Sequence, residues 1–157
     1  MRFVPDIPAA RREEFVTAGY WGDTLFTDRF EAAAARNPDR VAVVSENSET
    51  HTATTLSYRH LLRLTRRAAG GLVKLGVKRG DVVAMQMPNW WHYAVMYPAC
   101  AYIGAVFNPL MPIFRERELE FMLGFAETKL LIIPHSFRGF DYPSMLERLR
   151  PSLPALE

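Results

Sequence analysis

Cysteine is almost absent from this sequence. Among its 157 residues there is one cysteine, Cys100, so no disulfide can form within the chain and metal sites built from several thiolates are excluded. The first residues lack the apolar core of a signal peptide, and no lipidation signal is present. Together these features predict a cytoplasmic location.

Charged residues are absent from one long internal stretch. Residues 82–114 contain no Asp, Glu, Lys or Arg, which is typical either of a membrane span or of the buried centre of an α/β domain. Turn-forming residues interrupt the stretch before any run reaches the roughly 20 apolar residues that a bilayer requires. They are Pro88, Asn89, Pro98, Gly104, Asn108, Pro109 and Pro112. The sequence therefore predicts no transmembrane segment.

The same stretch divides into a strand, a helix and a second strand. Residues 82–87 and 105–108 are continuous apolar runs of the kind found in parallel strands that are covered on both faces. Between them we expect a helix that is capped by Asn89 and closed by Gly104, with a kink at Pro98. This arrangement predicts a βαβ unit.

The residues before this unit predict a hairpin and two helices. Residues 41–45 and 52–56 are short strands joined by a polar connection. Before them, Thr24 or Thr27 can start a helix that stops before Pro38. After them, Ser57 is the predicted N-cap of a long amphipathic helix that ends at Gly76. The predicted buried face of that helix consists of Leu61, Leu64, Ala68, Leu72 and Leu75.

The remaining residues continue the α/β pattern. We expect a helix near 116–125, a strand at 130–133, a loop at 134–141 and a short helix at 142–150. The predicted fold class is α/β, with three layers and a mainly parallel sheet built from βαβ units after a β-hairpin. The predicted divisions are an N-terminal arm at 1–23 that wraps the domain, an incomplete α/β subdomain at 24–150, and a linker at 151–157.

Several kinds of chemistry have no residues to support them. His51, His60, His92 and His135 show no metal-ligand spacing. There is no Gly-x-Ser-x-Gly elbow, no Gly-x-Gly-x-x-Gly and no Walker-type lysine. We therefore predict no catalytic residue and no metal ligand within this chain.

Two surfaces leave alternatives open. Arg59, Arg63, Arg66 and Arg67 form a basic helix face that would suit nucleic acid, but a solvated helix face has the same pattern, and the net charge is only +2. No nucleic-acid partner is predicted. Trp90 and Trp91 would suit an acyl or aromatic ligand, or would simply pack in the core.

Three motifs, in this order and spacing, resemble those of one family. Residues 56–61 (LSYRHL), residues 80–89 (GDVVAMQMPN) and residues 101–110 (AYIGAVFNPL) are similar to the first part of the adenylate-forming, or AMP-binding, enzymes. Residues 114–119 and 137–142 resemble the acyl-CoA synthetase branch, particularly medium-chain and cyclohexanecarboxylate CoA ligases. The chain therefore resembles the N-terminal part of such an enzyme.

The resemblance implies a function that residues outside this chain would complete. Enzymes of this family use ATP and Mg²⁺ to activate a carboxylic acid as an acyl-adenylate and then form the CoA thioester. The family's phosphate loop and catalytic lysine have no counterpart here. We therefore expect the isolated chain to be inactive, to bind none of these cofactors, and to self-associate through exposed apolar surface. A non-catalytic binding or scaffold module with the same fold is the alternative.

One residue is singled out as a candidate contact. The resemblance places the loop that holds Arg138 where related CoA ligases approach the CoA nucleotide, and an arginine can pair with phosphate through two hydrogen bonds. The alternative is an Arg138 side chain that packs on Phe137 or Phe140 and is otherwise solvated.

Overall fold

Helices and strands alternate along most of the chain. A computed structural model of the protein describes residues 7–156. The elements are α1 (Ala9–Thr17), α2 (Phe26–Arg36), β1 (Val41–Asn47), β2 (Thr52–Ser57), α3 (Tyr58–Lys74), β3 (Val82–Gln86), α4 (His92–Ile103), β4 (Val106–Leu110), α5 (Glu116–Phe125), β5 (Thr128–Ile132), β6 (Ser136–Phe137), β7 (Phe140–Asp141) and α6 (Tyr142–Leu149). A short 3₁₀ turn, Arg150–Ser152, follows α6.

The parallel sheet has β3 at its centre. Its strand order is β4-β3-β5, and β3 pairs in parallel with both neighbours. Every residue of β3 is buried, as expected for a parallel strand covered on both faces. The predicted parallel arrangement of three strands is therefore confirmed, although β4 runs on through Pro109 to Leu110 and β5 begins at Thr128.

Neighbouring residues of β3 point into two different cores. Val83 packs with buried residues of α3 and α4, namely Ala69, Leu72, Ala99 and Cys100. Ala84 packs with buried residues of α5 and α6, namely Leu119, Leu123, Tyr142 and Met145. Because side chains alternate along a strand, a continuous apolar run serves both cores and produces the predicted three layers.

The hairpin and the long helix form as predicted, but one residue that was predicted to lie on the buried face of the helix is exposed. β1 pairs with β2 in antiparallel fashion, and Ser57 Oγ accepts a hydrogen bond of 3.3 Å from the His60 N–H. Gly76 follows α3 with a φ of 82°, which suits glycine at a helix C-terminus. Leu75, predicted to be buried, is 62% exposed, because it is the C-cap and lies beyond the helical residues.

Two other predicted caps are wrong. α4 begins at His92, not after Asn89, and the N–H of Trp91 is satisfied by Ser45 Oγ of β1 at 3.0 Å. α2 is capped by neither Thr24 nor Thr27, because the Asp28 carboxylate accepts from the Leu25 N–H at 2.9 Å. Gly104 closes α4 in the left-handed conformation as predicted. The kink expected at Pro98 stays a prediction.

The two ends of the chain differ in their packing. Residues 1–6 of the predicted arm lie outside the described residues, and no residue of α1 is buried; an arm that wraps the domain stays a prediction. Near the other end, Leu153 is only 4% exposed and packs with α5 and α6. This part of the predicted linker is therefore packed against the domain. Glu157 lies outside the described residues, and the division at residue 151 stays a prediction.

Helix α5 offers a matched test of the two-sided core. Leu123 is 1% exposed and faces Ala84, whereas Phe121 on the same helix is 70% exposed. We expect Leu123→Ala to lower the free energy of unfolding by about 2–5 kcal/mol, the usual cost of a cavity in a packed core. Glu120→Ala, at an exposed position on the same helix, should change it by less than about 0.5 kcal/mol. Urea titration of both variants checks this, and equal losses would contradict the assigned core.

Candidate functional site

The carboxyl ends of β3, β4 and β5 lie together at one edge of the parallel sheet. In open α/β sheets, ligands collect at this edge. The chain continues from it as residues 87–91 after β3, residues 111–115 after β4, and residues 133–141 after β5. We call this the carboxyl edge, and it is the candidate site.

Gln86, the last residue of β3, holds the turn that follows β4. Its side chain is fully buried, and its Nε2 donates to the carbonyls of Met111 at 3.1 Å and Phe114 at 2.9 Å. A buried amide must satisfy its donors, so this bonding fixes the 111–114 turn against β3. Its Oε1 is buried and has no partner within residues 7–156.

The hydroxyl of Tyr93 joins the ends of β3 and β4. Tyr93 Oη lies 3.0 Å from the carbonyl oxygen of Met85, 3.2 Å from that of Met87 and 3.2 Å from that of Leu110. The tyrosine hydroxyl therefore supplies a donor at the point where β3 and β4 end. Burial raises the pKa of Tyr93 above its usual value, which keeps the hydroxyl protonated.

Arg115 and Tyr142 hold the same turn from the other side. Arg115 Nη1 donates to the carbonyls of Pro112 at 2.6 Å and Phe114 at 2.8 Å. Its guanidinium carbon lies 3.8 Å from the ring centroid of Phe140, in a cation-π contact. Tyr142 Oη also donates to the Pro112 carbonyl, at 2.9 Å. The turn after β4 is thus rigidly placed by side chains of three elements.

A shallow depression of about 500 Å³ opens between the turn and α4. It is lined by Met87, Asn89, Tyr93, Pro109, Leu110, Met111 and Pro112. Its wall is mostly apolar, and Asn89 supplies an exposed amide. Such a surface suits an apolar or extended ligand segment with one polar group.

Arg138 sits at the tip of the hairpin formed by β6 and β7. The structure therefore corrects the predicted loop at 134–141, which contains two short paired strands. Arg138 and Gly139 form the turn with φ of 51° and 72°, values typical of a two-residue hairpin turn. The Arg138 guanidinium carbon lies 5.2 Å from the ring centroid of Phe137, which is the predicted packing alternative. Contact with a CoA phosphate stays a prediction.

Trp90 and Trp91 lie just before α4 rather than on it. Both are half-buried. The Trp90 ring meets the Phe137 ring edge to face at 6.0 Å, and Trp91 stacks on His92 at 3.9 Å. His92 is half-buried as well, and desolvation lowers its pKa below the usual value. These aromatics connect the end of β3 to the Arg138 hairpin.

The basic face of α3 is partly neutralised by acidic residues. Arg59 pairs with Asp39 at 3.1 Å, and Arg66 pairs with Glu31 at 2.8 Å. The hydrogen bond from Arg66 lowers the pKa of Glu31, and Tyr102 Oη donates to the same carboxylate at 2.5 Å. Burial raises the pKa of Tyr102 to about 12. The contacts of Arg66 and Tyr102 with Glu31 join α3 and α4 to α2.

The other predicted candidates do not assemble into a reactive centre. Within residues 7–156 no group of three or more His, Cys, Asp or Glu side chains could hold a metal ion. The thiol of Cys100 is buried, and desolvation raises its pKa to about 11. None of the described helices is long and apolar enough to cross a membrane.

The sequence reasoning missed the residues that shape the carboxyl edge. Gln86 offered a signal, because it is the one strongly polar side chain in an apolar strand. Tyr93 and Arg115 offered none, since tyrosine and arginine are ordinary on helices and turns. The role of Tyr93 depends on the Leu110 carbonyl, 17 residues away, and the role of Arg115 depends on how the turn after β4 folds back toward its side chain.

The fold and its edge define a class of protein. An open parallel α/β unit with a shaped carboxyl edge is typical of ligand-binding α/β enzymes. The chain belongs to the AMP-binding enzyme family, whose model, described as AMP-binding enzyme, matches residues 30–157. The predicted family resemblance is therefore confirmed.

Characterised relatives agree with this assignment. The chain is 31% identical over 147 residues to the medium-chain fatty-acid–CoA ligase of Escherichia coli (strain K12), covering 94% of this chain and 25% of that protein. It is 32% identical over 150 residues to the 2,3-dihydroxybenzoate–AMP ligase of Bacillus subtilis (strain 168), covering 96% and 27%. The chain thus spans about a quarter of the length of these relatives.

Solved structures show the same fold. The apo structure of MbtA from Mycobacterium smegmatis matches with a TM-score of 0.79 and 31% identity, over 98% of this chain and 27% of that one. A fatty acyl CoA synthetase from Mycobacterium tuberculosis matches with a TM-score of 0.62 and 27% identity, over 68% and 20%. The predicted placement of this α/β unit within the adenylate-forming fold is confirmed.

Removal of one hydroxyl tests the role of Tyr93. We expect Tyr93→Phe to lower the free energy of unfolding by about 1–3 kcal/mol, because it removes the one hydroxyl donor that the carbonyls at the strand ends share. Tyr97→Phe is the matched control, since Tyr97 lies one turn later on α4 and is 51% exposed. Urea titration of both variants gives the comparison. A Tyr93→Phe variant as stable as the control would show that the hydroxyl does not support the edge.

Proposed function

We propose that this chain is the N-terminal portion of an acid–CoA ligase that activates a fatty or alicyclic carboxylic acid with ATP. The carboxylate oxygen attacks the α-phosphorus, pyrophosphate leaves, and an acyl-adenylate forms. The CoA thiol then attacks the acyl carbonyl, and AMP leaves. The observation that carries the proposal is the match over 94% of the chain to a relative named as a fatty-acid–CoA ligase.

The acyl acceptor is the finer part of the proposal. The Bacillus subtilis relative is named as an AMP ligase, so the family match alone supports acid activation more broadly than thioester formation. The resemblance of residues 137–142 to the acyl-CoA synthetase branch favours CoA. A non-catalytic binding or scaffold module with this fold is the alternative.

ATP and Mg²⁺ do not fit the residues described here. A triphosphate requires a cradle of N–H donors and a cation, and Mg²⁺ requires oxygen ligands such as carboxylates. The carboxyl edge contributes apolar and aromatic side chains, and residues 7–156 contain no candidate metal cluster. We infer that other parts of the enzyme supply these groups and that this chain alone is inactive.

Pyrophosphate release tests the function directly. We expect the isolated chain to release none from ATP with any carboxylic acid. A chimera in which this chain replaces the matching quarter of the Escherichia coli relative should release pyrophosphate in an acid-dependent manner. The same chimera with Leu123→Asp, which places a charge in the core, should be inactive. Acid-dependent release by the isolated chain would contradict the proposed division of roles.

Arg138 is the proposed contact for a CoA phosphate. Its side chain is exposed at the hairpin tip, and its guanidinium has no carboxylate partner within residues 7–156. An arginine in this position can donate two parallel hydrogen bonds to phosphate. The Phe137 ring would hold the guanidinium plane in place, and the N–H edge of the guanidinium would face the ligand.

A charge-removing substitution tests this contact. In an active chimera, we expect Arg138→Ala to raise the KM for CoA by about tenfold, the equivalent of about 1.4 kcal/mol, and to leave the KM for ATP unchanged. Arg117→Ala, at an exposed position on α5, is the control. Steady-state kinetics with each substrate varied gives both values. Equal effects of the two substitutions would remove Arg138 from the site.

The free edge of β4 carries an apolar groove of about 420 Å³. It is lined by Val82, Val106, Phe107, Asn108, Pro109, Leu110, Phe114, Phe121, Met122, Phe125 and Ala126. Phe121 and Phe125 are 70% and 58% exposed and stack on each other at 5.9 Å. Contiguous exposed apolar surface of this kind promotes association. We propose that the isolated chain self-associates through this groove.

Polar substitutions in the groove test self-association. We expect sedimentation equilibrium to show oligomers of the isolated chain, and Phe121→Ser with Phe125→Ser to shift the population toward monomer. Val44→Ser is the control, because Val44 is 65% exposed on the hairpin, away from the groove. Monomers for the unaltered chain at micromolar concentration would contradict the proposal.

A cytoplasmic location and the domain division accompany the proposed function. The thiol of Cys100 is free and buried, which agrees with a reducing compartment. We propose the boundaries 24–150 for the α/β subdomain, because α2 to α6 supply most of the residues of its cores, to which Leu153 is added from the following turn. The arm at 1–23 contributes no buried residue within its described part, which supports its separation.

A further inference from the structure

Two hairpin turns that are far apart in sequence meet at the carboxyl edge. Glu49 lies in the turn between β1 and β2, and its Oε1 accepts a hydrogen bond of 2.6 Å from the main-chain N–H of Arg138. Nearby, Ser45 of β1 accepts from the N–H of Trp91, and Trp90 packs on Phe137. The first hairpin is therefore anchored beside the second, and Glu49 reaches its tip.

The main-chain N–H of Arg138 makes no hydrogen bond within its own hairpin, so it can donate to a group outside the hairpin. Phe137 and Phe140 are register partners, so the two-residue turn closes through them and leaves the N–H of its first central residue free. A free N–H beside a guanidinium is a donor set for an anion. A carboxylate oxygen already occupies the N–H, which shows that this position accepts negative charge.

The guanidinium of Arg138 does not share this carboxylate. It lies over the Phe137 ring at 5.2 Å, and none of the ion pairs within residues 7–156 includes it. The hairpin tip thus has two donor groups, of which one is taken by an internal anion and one is free. A phosphate that engaged both would meet the carboxylate of Glu49.

We propose that Glu49 is an internal competitor for this anion position, so that a phosphate-bearing ligand binds at Arg138 only when the Glu49 carboxylate leaves. This inference rests on the proposed role of Arg138 as a phosphate contact and deepens it. Glu49 is a specificity-determining residue here. The Glu49 carboxylate disfavours small or weakly bound anions. A ligand that also binds through other contacts can displace it.

The first test needs no ligand. In ¹H-¹⁵N spectra of the chain, we expect Glu49→Ala to shift the Arg138 amide signal upfield, because the amide loses a charge-assisted hydrogen bond. Glu46→Ala is the matched control, since Glu46 is an exposed carboxylate on the same hairpin. An Arg138 signal that moves equally in both variants would show that the contact does not form and would overturn the inference.

The second test uses adenosine 3′,5′-bisphosphate as the phosphate probe and the active chimera as the protein, because the isolated chain is expected to bind none of the cofactors. We expect Glu49→Gln to tighten its dissociation constant about two- to fivefold, the range for one exposed charge interaction, and Glu46→Gln to leave the constant unchanged. Calorimetry gives the constants, and the shift of the Arg138 amide on titration reports the location. Arg138→Ala should weaken binding in both backgrounds.

The outcomes separate this inference from the proposed function. If the probe shifts the Arg138 amide but binds Glu49→Gln no more tightly than the unaltered chain, the phosphate contact stands and the competition is overturned. Weaker binding by Glu49→Gln would show that Glu49 supports the hairpin, which also overturns it. If the probe leaves the Arg138 amide unmoved in every variant, the proposed phosphate contact fails, and the competition fails with it.

Discussion

Strand β3 imposes the constraint on which the rest of the structure depends. It is buried along its whole length and hydrogen-bonded on both sides, so both of its faces must be covered by apolar side chains. Val83 points into one core, where α3 and α4 cover it. Ala84 points into the other core, where α5 and α6 cover it. A charge at either position would remain buried without a partner.

The same constraint explains the polar groups at the carboxyl edge. Where β3 and β4 end, the sheet ladder stops, and the backbone carbonyls near the strand ends need other donors. The hydroxyl of Tyr93 and the amide of Gln86 replace the missing partners. Satisfying these groups also fixes the 111–114 turn, so a requirement of the fold produces the rigid wall of the candidate site.

The two edge strands of the sheet, β4 and β5, differ in charge. β5 carries Lys129, which pairs with Asp81 at 3.4 Å, and a charged edge resists pairing with other strands. β4 has no charged residue and borders the exposed Phe121 and Phe125. Of the two edges, the uncharged one therefore presents the exposed apolar side chains.

Local sequence determined most of the elements and the family of this protein. The apolar run of β3, the Ser57 cap and the Gly76 and Gly104 stops act within a few residues, so their patterns are legible in the sequence alone. Tertiary structure decided which groups meet across long separations. The Ser45 contact that replaces an Asn89 cap, the Tyr93 hydroxyl between two strands, and the approach of Glu49 to Arg138 each depend on how the sheet brings distant turns together. No local pattern encodes such contacts, because each partner satisfies a backbone group whose position the folded chain alone defines.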